Sequence, residues 1–411
     1  MKPLSFTQIA TVVLILTAGA GGLPAAQPAA LVRIVSLEPT VLFPKKEPLA
    51  QIARLTVDNR SSAAVSGEVV VVMGGGTPGA GQPLKIGPNQ STYDVLIPDV
   101  ATPTEVRIEV RSGGAVLATH TQAWQPQRKW RIFIVKSSHE DIGYENFIFK
   151  KQHDIANFVD LGRELSSPKS VAGNIEAAVQ KRTAFHYTME TILFQRNYID
   201  ERGERAWREV VEHEVKPGHI SLMGAPSGVH SHWMDYEELA RMAYPARRET
   251  KDRFGLDLKT FMIVDNPSLS WSGAQALANA GFKYVARWGQ GWRTGNKNDY
   301  ATTKVPALFW WVGPDGVSKV LYSWRSHYSM GLWWGQTGTY KNEVELASGQ
   351  VSKFLRLVEG GLLGPYPYDA VVTPEYVDHD TPRFDTRVLP VWAERYEFPQ
   401  IQVASPEAFF T

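Results

Sequence analysis

A histidine and an aspartate stand two residues apart near the end of a predicted strand. Residues 132–136 form a short apolar run rich in β-branched residues, which predicts a buried strand. His139 and Asp141 come soon after it, and side chains two residues apart on an extended backbone point to the same side. An imidazole and a carboxylate placed in this way could bind one cation, such as Zn²⁺. The alternative interpretation is a solvated turn after a strand, because His-x-Asp alone is a common pattern.

Two further acids follow predicted strands. Asp265 comes directly after an apolar run, and Asp378 follows another run by a short loop. Because the C-terminal ends of the strands of an α/β barrel meet at one rim, we expect these acids to converge with His139. Two carboxyl groups are what retaining hydrolysis of a glycosidic bond requires, and Asp265 could also join His139 and Asp141 around a cation. A single aspartate after a strand is more often a helix cap or a turn residue.

Strands alternate with helices from residue 130 to residue 411, which is typical of βα units and parallel strands. The predicted strands are 132–136, 184–190, 219–223, 259–264, 283–287, 306–312, 318–323, 370–373 and 400–403. The predicted helices are 154–165, 201–214, 236–254, 272–280, 344–358 and 387–396. About seven βα repeats predict an α/β fold with a (β/α)7 barrel-like catalytic domain.

Tryptophans are concentrated between Trp271 and Trp334. They could form platforms for sugar rings, since a pyranose stacks its C–H face on an aromatic ring. The alternative is a hydrophobic hairpin packed over the barrel, because Gly313-Pro314-Asp315-Gly316 between two strands is a strong turn signal.

Residues 30–125 consist of short predicted strands separated by turn sequences rich in glycine and asparagine. The spacing predicts an all-β immunoglobulin-like sandwich as an accessory domain. This domain could serve as a carbohydrate-binding or docking module. It could instead only pack against the second domain and support it, and the lack of clustered titratable residues favours this interpretation. Residues 125–129 are the predicted linker.

Residues 1–26 have the features of a secretory signal peptide, with Lys2 before a short apolar run and small residues after it. No other segment approaches the length of a membrane span. We therefore expect an exported protein, periplasmic or extracellular, and the absence of cysteine excludes a disulfide framework. The 43 Lys and Arg residues nearly balance the 42 Asp and Glu residues, which argues against a nucleic-acid partner. The oligomeric state is not predictable from these features.

The segment 138–144, Ser-His-Glu-Asp-Ile-Gly-Tyr, resembles the His-x-Asp-x-Gly-Trp signature of glycoside hydrolase family 38, the α-mannosidases. Four later segments fit the family in the same order. They are 224–233, ending in Ser-His-Trp; 263–270, at the place of the nucleophile; 280–287, with Ala-Gly-Phe before a strand; and 374–382, at the place of the acid/base. The resemblance covers about residues 130–411, the N-terminal catalytic domain without the family's C-terminal domains.

The resemblance implies a role for each matching residue. His139, Asp141 and Asp265 would be ligands of Zn²⁺ or another divalent cation. Asp265 would also be the nucleophile and Asp378 the acid/base, with Asp380 as the alternative. The substrate-binding residues would be Tyr144, Arg287, Trp233 and His379.

The sequence departs from the family at three places. The acidic residue of the family's third-strand segment is replaced around residues 227–229. The usual Asp-Pro-Phe-Gly-His is here Asp-Asn-Pro-Ser-Leu at 265–269, which keeps only the acid of that motif together with a shifted proline. The family's fourth metal ligand is a histidine beyond the barrel, so we expect either a longer protein or completion of the site by His379, His327 or water. The expected function is metal-dependent, retaining hydrolysis of an α-mannoside or a related α-glycoside. Two alternatives stay open: a metal-dependent carbohydrate deacetylase, and a non-catalytic carbohydrate-binding protein.

Overall fold

The computed structural model describes residues 31–139, 186–264, 269–288, 306–325, 343–361, 364–378 and 388–411 of the 411 residues. The predicted signal peptide and the predicted helix 154–165 lie outside these ranges. The structure is mixed α/β, as the sequence predicts. Strands and helices are numbered below in the order in which the described residues form them.

The N-terminal part contains eight described strands. They are β1 (Val32–Pro39), β2 (Phe43–Pro44), β3 (Ala50–Asn59), β4 (Val65–Met73), β5 (Gln82–Ile86), β6 (Asn89–Pro98), β7 (Thr104–Ser112) and β8 (Ala115–Trp124). Seven of them form two antiparallel sheets with the strand orders β1-β3-β6 and β5-β4-β7-β8. The sequence predicts strands at 31–43, 52–57, 67–73, 92–97, 106–110 and 116–121. It predicts none at β5, because Gln-Pro-Leu-Lys-Ile has too few apolar residues for the pattern to show.

The two N-terminal sheets share one hydrophobic core. Leu55 and Ile97 from the first sheet and Val71 and Ile108 from the second belong to the same buried cluster. Side chains alternate between the faces of a strand, so every second residue of these strands faces the partner sheet. At the end of β8, the buried indole of Trp124 donates a hydrogen bond from Nε1 to Oε1 of Gln51 at 3.0 Å.

The second part of the chain combines parallel strands with helices. Its strands are β9 (Arg131–His139), β10 (Tyr187–Thr191), β11 (Ile220–Ala225), β12 (Thr260–Val264), β13 (Tyr284–Trp288), β14 (Leu308–Val312), β15 (Lys319–Arg325), β16 (Ala370–Asp378), β17 (Tyr396–Phe398) and β18 (Gln400–Val403). One sheet has the order β11-β10-β9-β16, with β18 also on β9, and all its pairs are parallel. The other has the order β12-β13-β15-β14, in which only the β14–β15 hairpin is antiparallel.

Helices follow most of these strands. They are α1 (Ile192–Arg202), α2 (Glu204–Val210), α3 (Tyr236–Arg241), α4 (Tyr244–Phe254), α5 (Trp271–Asn279), α6 (Glu343–Glu359), α7 (Val388–Arg395) and α8 (Pro406–Phe410). A π-helical turn, Val211–Val215, continues α2, and a 3-10 turn, Ser231–Trp233, lies between β11 and α3.

The two faces of the parallel strands carry different hydrophobic clusters. Ile132 and Ile134 of β9 belong to a large cluster that also includes helical residues such as Leu277. Phe133 and Val135, on the other face of β9, belong to a smaller cluster with Val264. This alternation is expected for strands buried on both sides and explains their continuous apolar runs.

Three of the differences between the predicted and the observed elements have a physical explanation. The predicted helix 236–254 is two helices, α3 and α4, because Pro245 has no N–H and occupies the first turn of α4, where that group is not needed. Helix α1 was not predicted: the buried Gln195 and Asn197 hide its apolar periodicity.

The third difference concerns the acid at the end of β16. The sequence predicts a loop between residue 373 and Asp378, whereas the strand continues through Pro374 to Asp378 in full register with β9. Proline lacks a donor for a sheet ladder and is tolerated on edge strands. Among the described strands, β16 is at the end of its sheet, so its outer side has no ladder to complete.

A short strand pair joins the two parts of the chain. Strand β2 pairs antiparallel with β17, and the backbone N–H of Lys45 donates to the carbonyl of Arg395 at 2.9 Å. Nearby, Nζ of Lys129 lies 2.6 Å from Oδ1 of Asp99 in a salt bridge. Val41 and Leu42, which flank β2, are buried in the large cluster of the second part.

Candidate active site

Two of the predicted site residues stand opposite each other at neighbouring strand ends. His139 is the last residue of β9, Asp378 is the last residue of β16, and the parallel register pairs them. Neighbouring strands lie about 4.8 Å apart, so the Cα atoms of these two residues are close. The register therefore brings together a predicted metal ligand and the predicted acid/base at the level of the backbone.

The predicted nucleophile lies just outside the described residues. Strand β12 ends at Val264, so the described backbone stops one residue before Asp265. Asp141, Tyr144 and His379 also lie outside the described ranges. Their predicted roles remain predictions.

Arg287 lies in β13, in register with Ile263 of β12. It is half-buried, and its neighbours Ala286 and Trp288 belong to the smaller hydrophobic cluster. Because side chains alternate along a strand, Arg287 is on the opposite face, together with Val285. Thus the structure places Arg287 beside β12, which leads to the predicted nucleophile, but on the opposite face from Trp288.

Trp233, a predicted substrate-binding residue, is 76% exposed at the end of the 3-10 turn that follows β11. Its ring stacks on the imidazole of His230, with ring centroids 4.8 Å apart and planes 14° apart. The turn is fixed by the buried Ser231, whose Oγ accepts a hydrogen bond from the backbone N–H of Ser270 at 2.6 Å. Ser270 directly precedes α5, so this bond ties the segment after β11 to the segment after β12.

Trp271, next to Ser270, is 62% exposed. Its Nε1 donates a hydrogen bond to the carbonyl of Val312 in the β14–β15 hairpin at 2.7 Å. Trp310 of the same hairpin is also exposed, whereas Trp288 and Trp324 are buried. The tryptophan-rich region therefore contributes both to the core and to the surface, and stacking of its exposed rings on sugars stays a prediction.

Glu190 is a buried acid that the sequence analysis did not single out. It lies near the end of β10, it is 4% exposed, and its Oε1 accepts a hydrogen bond from the backbone N–H of Val264 at 3.2 Å. One signal pointed to it: like Asp265 and Asp378, it stands at the end of a predicted strand. Its contact with β12 was not predictable, because the two residues are 74 positions apart.

His186 stands at the other end of β10, just before Tyr187. Nδ1 lies 2.8 Å from the carbonyl of Gly218 and Nε2 lies 2.8 Å from Oγ of Ser221. A carbonyl only accepts, so Nδ1 carries the proton and Nε2 accepts from the serine hydroxyl. Burial lowers the pKa of His186 to about 4, so the imidazole is neutral at ordinary pH. His186 thus hydrogen-bonds with Gly218 and Ser221 at the N-terminal end of β10. It is not part of the site, which lies at the C-terminal strand ends.

The donor chemistry at the strand ends fits a divalent cation only in part. Imidazole and carboxylate are the ligands that Zn²⁺ takes, and His139 lies beside Asp378 at the level of the backbone. Across the ranges that the structure describes, however, no group of three or more His, Cys, Asp or Glu side chains could hold a metal ion. Two of the three predicted ligands, Asp141 and Asp265, lie outside those ranges.

None of the helices in the described ranges is long and apolar enough to cross a bilayer.

Comparison with solved structures gives only distant similarities. A family 2 β-galacturonidase from Eisenbergiella tayi is 11% identical, with 64% of this chain and 57% of that chain covered and a TM-score of 0.20. A 4-α-glucanotransferase from Thermococcus litoralis is 10% identical, with 69% and 40% covered and a TM-score of 0.38. A β-glucuronidase from Ruminococcus gnavus is 8% identical, with 85% and 61% covered and a TM-score of 0.26. These TM-scores are too low to support a shared fold.

No curated protein sequence matches this chain. The family comparison is decisive, because the model of the glycosyl hydrolases family 38 N-terminal domain matches residues 129–411. That match begins where the strand and helix alternation begins and includes every predicted site residue. The chain therefore belongs to glycosyl hydrolases family 38, and its second part is a glycoside hydrolase domain of that family.

Proposed function

We propose that this protein is an exported, metal-dependent, retaining glycoside hydrolase that acts on α-mannosides or related α-glycosides. The observation that carries the proposal is the register of β9 with β16, which aligns His139 with Asp378 at the C-terminal ends of parallel strands. Active sites of α/β barrels form at such ends. Membership of family 38 supports the glycosidase chemistry, and the matching motifs support a mannoside.

In this proposal, Asp265 attacks the anomeric carbon while Asp378 protonates the departing glycosidic oxygen. Asp378 then removes a proton from water, which releases the sugar from Asp265 with retention of configuration. A divalent cation such as Zn²⁺, held by His139, Asp141 and Asp265, would act as a Lewis acid that polarises and orients sugar oxygens.

The remaining predicted residues would bind the sugar. Tyr144 and Trp233 would stack on pyranose rings, and the exposure of Trp233 leaves its outer face accessible to one. Arg287 and His379 would donate hydrogen bonds, either to the substrate or to the nucleophile. In this proposal, residues 130–411 form a (β/α)7 barrel, residues 30–125 form an immunoglobulin-like accessory sandwich and residues 1–26 are a signal peptide.

One described contact supports closure of the two parallel sheets into a barrel. At Gly224 of β11, the position of an added Cβ lies 3.3 Å from the carbonyl oxygen of Thr260 in β12. The edge strands of the two sheets therefore lie side by side at this point, as consecutive barrel strands do.

The proposal is tested by assaying purified protein with aryl α-mannoside and other aryl α-glycosides, with and without prior removal of metal by a chelator. We expect Asp265→Ala to abolish release of the aryl group and Asp378→Ala to lower its rate by at least about 100-fold. Proton NMR of the first product formed should show the α-anomer. Wild-type rates in either variant, or release of acetate instead of sugar, would refute the assignment.

A further inference from the structure

Strand β12, which leads into Asp265, is an edge strand among the described strands. Its ladder partner there is β13, and its other edge faces β11 without a ladder. Edge strands present backbone donors that must find other acceptors. At the start of β12, Oε1 of Glu407 accepts from the N–H of Lys259 at 3.3 Å and from Oγ1 of Thr260 at 3.2 Å. At its end, Oε1 of Glu190 accepts from the N–H of Val264.

Glu190 reaches β12 across a bulge in the strand between them. The register of β10 with β11 shifts between the pairs Met189–Leu222 and Thr191–Ala225, so that two residues of β11 oppose Glu190. Bulges of this kind redirect side chains and are common beside active sites. One of the two opposing residues is Gly224, where a Cβ would lie only 2.2 Å from the ring of Phe282. The local backbone around the buried Glu190 is thus closely packed.

We propose that Glu190 is a positioning residue that fixes the nucleophile Asp265 through the hydrogen bond to Val264. This inference rests on the proposed function of Asp265. Consecutive Cα atoms are fixed about 3.8 Å apart by the trans peptide, so a shift of Val264 displaces Asp265 directly. The carboxyl of Glu190 replaces the acceptor that a neighbouring strand would otherwise supply at Val264, the last residue of β12. A displacement of about 1 Å at a reacting group costs on the order of 100-fold in rate.

Glu407 provides the matched control, because its carboxylate also accepts a backbone hydrogen bond from the β12 segment. That bond lies at the start of β12, at the opposite end from Asp265. We expect Glu190→Ala to lower kcat on an aryl α-mannoside by about 100-fold with little change in KM. Glu190→Gln retains an oxygen acceptor at the same reach and should keep most of kcat. Glu190→Asp keeps the carboxyl but shortens the side chain, so it should lose activity as alanine does. Glu407→Ala should lower the melting temperature and leave kcat per folded molecule unchanged.

A second readout does not depend on turnover. Hydrogen exchange of the Val264 amide in the full-length protein should be faster in Glu190→Ala and Glu190→Asp, and close to wild type in Glu190→Gln and Glu407→Ala. Unchanged exchange in Glu190→Asp would overturn the inference whatever the activity. So would a kcat in Glu407→Ala as low as that of Glu190→Ala, or rescue by Asp but not by Gln. If the exchange pattern holds and wild-type protein releases no sugar, it is the proposed function that fails.

Discussion

Acid should destabilise this protein partly through one residue, the buried His186. Burial lowers its pKa from 6.5 to about 4, the hydrogen bond to Gly218 opposes this shift and the nearby His219 adds to it. The folded protein therefore binds the proton less readily than the unfolded chain does. The stability that comes from keeping this imidazole neutral is complete above about pH 6.5 and is lost as the pH falls towards 4.

The size of the effect follows from the two pKa values. Each pKa unit corresponds to about 1.4 kcal/mol, so the gap between 6.5 and about 4 is worth about 3 kcal/mol. Of this stabilising free energy, about 2 kcal/mol is lost by the time the pH has fallen to about 5. Against a typical unfolding free energy of about 5–15 kcal/mol, this is a measurable share.

The assay is urea unfolding of wild type and His186→Asn between about pH 7.5 and pH 5. Asparagine keeps an N–H donor towards Gly218 but does not titrate in this range. The difference in unfolding free energy between the two proteins should shrink by about 2 kcal/mol over this interval. The exposed His213 gives the control, because His213→Asn should retain the full pH dependence of the wild type. A difference between wild type and His186→Asn that stays constant with pH would refute the reasoning.

Two further predictions concern the packing around the site. Gly224→Ala should lower the unfolding free energy by about 1–3 kcal/mol, because its Cβ would lie 2.2 Å from the ring of Phe282. Gly349→Ala, in an open position of α6, should instead raise it by about 0.4–1 kcal/mol, and equal effects in denaturant melts would contradict the packing argument. Ser231→Ala should cost about 1–3 kcal/mol, since it leaves the N–H of Ser270 without its acceptor. Thermal melts would test this, and an equal loss in the control Ser227→Ala would count against it.

Local patterns predicted most strands, because burial on one face gives an alternating apolar pattern and burial on both faces gives a continuous apolar run. The apolar run 259–264 became β12 within one residue, and 400–403 became β18 with the same bounds. Helix α1 was missed because it buries Gln195 and Asn197, and burial of amides depends on partners elsewhere in the fold. The end of β16 was misjudged because a proline stops a strand only where a ladder needs its N–H.

The site was predictable as far as chemistry follows from residue type and order. The family assignment from the motifs around His139 and Asp265 is confirmed by the family model. The expectation that His139 and the acids meet at one rim followed from the predicted barrel, but the pairing of β9 with β16 that aligns His139 with Asp378 did not. The bond from Val264 to Glu190 was not predictable either, since it depends on a bulge and on the packing of three strands.

The pairing of β2 with β17 has a consequence for synthesis. Directly after β2, Nζ of Lys45 lies 3.5 Å from the carbonyl oxygen of Ala393. These two residues are 348 positions apart in the sequence. A ribosome makes the chain from one end, so this junction waits until almost the whole catalytic part has emerged. Val41 and Leu42 belong to a cluster that includes Trp392 and Tyr396, so their complete burial also waits for residues made late. Loop-closure entropy rises only logarithmically with length, so the delay comes from vectorial synthesis rather than from the free energy of the closed ring. The N-terminal sheets can therefore complete their contact with the second part of the chain only after β17 has been made and has folded.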